Sequence, residues 1–85
     1  MSLAGSDQIA EDSKGPPAIV RLIINGDERA IPGAGDVAAL VAALGLDARK
    51  VAVEHNLQIV PRSLYGVTTL CDGDRIEIVH FIGGG

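Results

Sequence analysis

With 85 residues, 47% of them hydrophobic, the chain can fold as one small domain with a single core and no more. A formal net charge of −4 and only two large aromatics, Tyr65 and Phe81, argue against nucleic acid, which needs clustered Lys and Arg and stacking platforms. The single cysteine, Cys71, excludes a disulfide framework and a cysteine zinc cluster; no apolar run is long enough to span a membrane, and Met1-Ser2-Leu3-Ala4-Gly5 is no signal peptide, so the expected setting is cytoplasmic.

Residues 1–17 are small and polar, and contain Asp7, Glu11, Asp12 and Ser13-Lys14-Gly15-Pro16-Pro17. They cannot bury enough apolar area to offset their ordering entropy, so they read as a disordered leader of a kind that cloning vectors also leave behind. Composition changes abruptly after Pro17. Ile19–Ile24 predicts a strand with Val20, Leu22 and Ile24 on one face and Arg21 towards water. Asn25-Gly26 is the strongest short hairpin signal in the chain, because both central positions of a type I′ turn need positive φ. A return strand is expected over Asp27–Ile31, ending at Pro32.

Gly33-Ala34-Gly35 forms a loop, and Asp36 is placed to cap a helix. Val37, Leu40, Val41 and Leu44 then fall at i, i+3, i+4 and i+7, a single apolar stripe, with Gly45 as the left-handed C-terminal cap. Val51–Glu54 predicts a third strand, and His55-Asn56 turns into a short fourth, Gln58–Val60, put at a sheet edge by Pro61. Ser63–Gly66 reads as a helical turn, Thr68–Cys71 as extended, and Asp72-Gly73-Asp74 as a tight turn. The final strand has Ile76 and Ile78 on one face and Arg75 and Glu77 on the other. A hairpin, a crossing helix and a C-terminal strand returning in parallel beside the first give an α+β β-grasp over residues 18–82, with a glycine tail over 83–85.

No catalytic set accompanies this fold. His55 and His80 read as structural histidines, and His80 continues the Ile76, Ile78 alternation and should be partly covered. Cys71 beside Leu70 reads as a small hydrophobe. Gly33-Ala34-Gly35 lacks the Lys-Ser/Thr of a phosphate loop. Arg21, Arg29, Arg62 and Arg75 read as solvated charges, with Arg62 also placed where a partner could touch it. No metal or cofactor is called for. The remaining group is the α-carboxylate of Gly85, carried on Gly83 and Gly84, an unbranched arm able to thread a narrow channel where a Cβ would collide. A carboxylate is inert until adenylated; sulfur can then displace AMP and leave a thiocarboxylate.

Several segments, taken in order, resemble the sulfur carriers of thiamine biosynthesis, the ThiS family. They are Leu22-Ile23-Ile24-Asn25-Gly26, Val51-Ala52-Val53-Glu54-His55-Asn56, Ile59-Val60-Pro61-Arg62, Asp72–Val79 and Phe81-Ile82-Gly83-Gly84-Gly85. The resemblance implies a non-enzymatic carrier with a ubiquitin-like β-grasp. The residue matching the family's terminal glycine, Gly85, would be adenylated by a ubiquitin-activating-enzyme-like adenylyltransferase of the ThiF type. A sulfur donor protein would supply the sulfur, and a thiazole synthase of the ThiG type would use it for the thiazole of thiamine. The small subunit of molybdopterin synthase is similar in fold and ending, but usually has a proline-containing segment before its glycines, where this chain has Val79-His80-Phe81-Ile82. A ubiquitin-like modifier or binding module is the third reading. Val79, Phe81 and Ile82, apolar and next to the tail, are the expected docking residues for both partners.

Overall fold

Residues 18–81 are described by a computed structural model; the leader expected over 1–17 and the tail expected over 83–85 lie outside them, as does Ile82. Strands β1 (Ile19–Ile24), β2 (Asp27–Pro32), β3 (Val51–His55), β4 (Gln58–Val60) and β5 (Arg75–His80) form one mixed sheet in the order β2-β1-β5-β3-β4. β5 runs parallel to β1 and antiparallel to β3, and the other pairings are antiparallel. Helix α1 (Val37–Ala43) packs on one face. This is the β-grasp arrangement.

Local chemistry accounts for each element. Asn25 (φ 50°) and Gly26 (φ 87°) make the expected type I′ turn between β1 and β2. The Asp36 carboxylate accepts from the Ala39 N–H at 2.8 Å and so caps α1. At the other end Gly45 (φ 73°) donates to Ala42 O while Leu46 donates to Val41 O, a Schellman motif that closes the helix after two turns. Val37, Leu40 and Val41 are buried against Val20, Leu22 and Ile24 of β1, Val51 and Val53 of β3, and Ile76 and Ile78 of β5. So short a helix is stabilised by this burial rather than by its own propensity. No described helix is long and apolar enough to cross a membrane.

Four details depart from the sequence reading. A 3₁₀ turn at Ala48–Lys50, capped by the Asp47 carboxylate, was not expected. The helical turn expected at Ser63–Gly66 is a longer 3₁₀ segment, Arg62–Val67. Thr68–Cys71 does not join the sheet: Thr69 makes one isolated bridge to Asp36, and Leu70 donates to Gly35 O at 3.0 Å, so the segment braces the loop before α1. His80 is exposed rather than partly covered. It does continue the inner alternation, but α1 ends at Ala43 and Gly45 turns the chain away, leaving this last position beside an open cleft.

The β3–β4 turn carries a local conflict. Its two central residues, Asn56 (φ 51°) and Leu57 (φ 74°), both lie in the left-handed region, where a leucine is disfavoured. Leu57 is also 81% exposed and so gains little from packing.

On the β1 side of β5 one side chain carries the pairing beyond the end of the ladder. The parallel register covers only Ile23↔Arg75 and Ile24↔Ile76, because β1 ends at the turn. Asn25 extends the ladder: its N–H donates to Ile76 O, its Oδ1 accepts from the Ile78 N–H at 2.8 Å, and its Nδ2 donates to Ile78 O at 3.3 Å. The same residue thus makes the turn and replaces the missing strand residue. Asn25→Gly keeps the positive φ but strips both Ile78 backbone groups of their partner, and should cost about 1–2 kcal/mol. Equilibrium urea unfolding measures this, and an unchanged midpoint would contradict the assignment.

Candidate functional site

The alternation of β5 buries Ile76 and Ile78 under α1 and sends Arg75, Glu77 and Val79 to the opposite, helix-free face. Val79 and Phe81 are each 60% exposed there. The Phe81 N–H donates to Lys50 O at 3.0 Å, so the chain still follows β3 at this point. Pairing adds residues that sequence reasoning missed. Ala52 lies opposite Val79, Glu54 opposite Glu77, and Ile59 of β4, 72% exposed, opposite Glu54. The signal for Ile59 was present in the β4 alternation, since Val60 beside it is buried.

The result is an apolar corner made by Ala52, Ile59, Val79 and Phe81 at the Phe81 end of the sheet. A shallow hollow of about 210 Å³ lies between Ile59, Arg62, Tyr65 and Phe81, with Ala52 in its wall. Arg62 is therefore at the rim of this corner, where a partner could meet it. Of the residues expected to dock, Val79 and Phe81 share this face; Ile82 lies outside the described residues, as do Gly83, Gly84 and Gly85.

A polar network lies at the other end of the sheet. His55 Nε2 donates to Asp74 Oδ2 at 2.7 Å, Asn56 Nδ2 donates to Asp74 Oδ1 at 3.2 Å, and the Cys71 N–H donates to Asp74 Oδ2 at 3.0 Å. Asn56 Oδ1 accepts from the Arg75 N–H at 2.8 Å. This network ties the β3–β4 turn to the entry of β5. Burial works to raise the Asp74 carboxyl, but the hydrogen bonds from His55, Cys71 and Asn56 outweigh it and hold the group below its ordinary value. Cys71, read as a small hydrophobe, is exposed, because it sits in the turn rather than in a strand facing α1. His80 and Arg29 flank an open cleft of about 330 Å³ beside Leu44 and Leu46.

A mixed five-stranded sheet with its last strand central, one helix on one face and a partly apolar opposite face defines a ubiquitin-like β-grasp module. Comparison with known proteins narrows the class. The family model described as "ThiS family" matches residues 22–85, and the chain belongs to that family of small sulfur carriers. A sulfur carrier protein ThiS from Bacillus subtilis is 45% identical over 51 residues, 60% of this chain and 77% of that protein. The crystal structure of a thiamine biosynthesis protein, ThiS, from Geobacter metallireducens superposes with a TM-score of 0.66 at 36% identity, covering 78% of this chain and all of that one. A protein named thiazole synthase from Paramagnetospirillum magneticum is 54% identical over 66 residues, and another so named from Magnetococcus marinus 39% over 66. In both, the match takes 78% of this chain but 20% of the relative, so the chain spans about a fifth of their length.

The Asp74 network makes a pH prediction. A carboxyl held low in the folded state contributes stability that is present above its unfolded value, about 3.9, and is lost as pH falls through the lower folded value. Wild-type stability should therefore drop on acidification below about pH 4. Asp74→Asn should be less stable at pH 7 by about 1–2 kcal/mol, and should lose less on acidification. Urea unfolding at a series of pH values checks both, and equal acid sensitivity in the two proteins would refute the network's role.

Proposed function

We propose that the chain carries sulfur for thiamine biosynthesis on the carboxylate of Gly85. That carboxylate attacks the α-phosphorus of ATP in the site of a ThiF-type adenylyltransferase, releasing pyrophosphate and leaving an acyl-adenylate. Sulfide-level sulfur (HS⁻) supplied by a donor protein then attacks the acyl carbon, AMP departs with the C–O bond broken, and a thiocarboxylate remains. A ThiG-type thiazole synthase takes this sulfur into the thiazole ring. The chain acts as a co-substrate and not as an enzyme, in the cytoplasm, with the ATP and metal sites belonging to its partner.

The observation that carries this reading is the extent of the family match, which runs through the three glycines to Gly85. Two further features support it. A matching segment occurs within the same polypeptide as two proteins named thiazole synthase, which favours that enzyme as a partner. The exposed corner of Val79 and Phe81 offers a docking surface next to Ile82 and the tail, and Ala52 and Ile59 enlarge it. On this reading Gly83 and Gly84 thread the partner's channel, and no residue of the folded part touches the reacting atoms.

Incubation of the chain with a ThiF-type adenylyltransferase, Mg-ATP and sulfide, followed by intact-mass and peptide mapping, tests the proposal. The expected product exchanges one oxygen for sulfur at Gly85. Gly84→Val should slow the exchange on the order of 100-fold through misplacement of the carboxylate, with the melting temperature unchanged. Sulfur found on Cys71 with Gly85 unmodified would reassign the site, and a Gly84→Val protein modified at the wild-type rate would refute the threading argument.

A further inference from the structure

The helix-free face carries a second feature beside the apolar corner. Glu54 and Glu77 lie directly opposite one another on β3 and β5. Asn56 N–H donates to Arg75 O at one end of this pairing and Phe81 N–H to Lys50 O at the other. The alternation of an antiparallel ladder therefore makes Glu54 and Glu77 a hydrogen-bonded pair, with Cα atoms about 5.5 Å apart and both side chains on the same face. Like charges directly opposite on a sheet are destabilising. Among the described residues neither glutamate has a cationic side chain within ion-pair distance, Arg75 on the same face included; the close acid–base contacts are Arg49 with Asp47 and His55 with Asp74.

The surroundings of the pair are aliphatic. Ile59 flanks Glu54 across β4, and Val79 follows Glu77 along β5. With Ala52 and Val53 these residues line a hollow of about 190 Å³. Its walls suit a hydrocarbon stem and its rim a cationic head, a combination that a long basic side chain supplies. A guanidinium is the better fit of the two basic groups, because its planar fork can donate to both carboxylates at once.

We infer that this sheet face takes an arginine side chain of the thiazole synthase, its stem along Ile59 and Val79 and its guanidinium between Glu54 and Glu77. The inference rests on the sulfur-carrier reading above and names the chemistry of its docking surface. The apolar corner anchors the partner, and the paired carboxylates set its register and discriminate against surfaces lacking the cation. In the free chain the pair is a cost to the sheet; in the complex it is a bidentate site.

The test is calorimetric titration of the full chain with the thiazole synthase of the same organism, at low and high NaCl. Wild type, the double variant Glu54→Gln/Glu77→Gln, and Phe81→Ala are compared, with a melting temperature for each. The inference expects the double variant to bind at least about tenfold more weakly at low salt and with a flatter salt dependence, while its melting temperature holds or rises. Wild-type affinity and salt slope in the double variant would overturn it, and if Phe81→Ala were still weakened the sulfur-carrier reading would stand without it. A fall in the double variant's melting temperature would overturn it too, by showing that the pair supports the fold. Wild type failing to bind would remove both the inference and the reading of the thiazole synthase as partner. Self-association of wild type, abolished in the double variant, would instead assign the face to a second copy of the chain.

Discussion

Strand β5 lies between β1 and β3, and the domain depends on holding it there. On the β3 side a full antiparallel ladder does so, from the Asn56–Arg75 bond to the Phe81–Lys50 bond. On the β1 side the parallel register covers two pairs, with backbone bonds from Ile23 to Asp74, Gly73 to Arg21 and Asn25 to Ile76, and the Asn25 side chain carries the contact on to both polar groups of Ile78. Buried Ile76 and Ile78 then reach α1, and the hydrophobic core closes around them. A central position for the last strand also sets its end firmly in the sheet up to His80 and Phe81.

That constraint separates stability from recognition. One face of the sheet is covered by α1, so its side chains account for the burial that stabilises the fold. The other face has no helix over it among the described residues, and its apolar corner and opposed glutamates contribute little or unfavourably to folding. The Asp74 network keeps the entry of β5 in place at the end of the sheet remote from this corner. The face that stabilises the fold and the face left exposed are thus different faces of one sheet.

Much of this was legible along the chain because it is local. Asn25-Gly26, the Asp36 cap, the Val37–Leu44 stripe, the Gly45 end and the Ile76/Ile78 alternation each specify structure within a few residues, and the order of elements then leaves the β-grasp as the topology. What was missed is non-local. The second role of Asn25 needs Ile78, 53 residues away, to be in register. The bridge of Thr69 to Asp36, the pairing of Glu54 with Glu77 and the joining of Ile59 to Val79 likewise depend on which strands become neighbours. His80 was misjudged because periodicity identifies a face but not how far the covering helix extends. Leu57 at positive φ runs against local preference, and only the register between β3 and β4 requires it.

The central claim is that the helix-free face docks the partners and the helix-covered face does not. Methyl-resolved NMR of the chain titrated with the thiazole synthase tests it most directly, because Ala, Ile, Leu and Val methyls report from both faces. The account predicts shift changes concentrated at Ala52, Ile59 and Val79, with Val37, Leu40 and Val41 of α1 unmoved. Perturbations centred on α1 and the cleft beside Leu44 and Leu46, with Ile59 and Val79 unaffected, would contradict it.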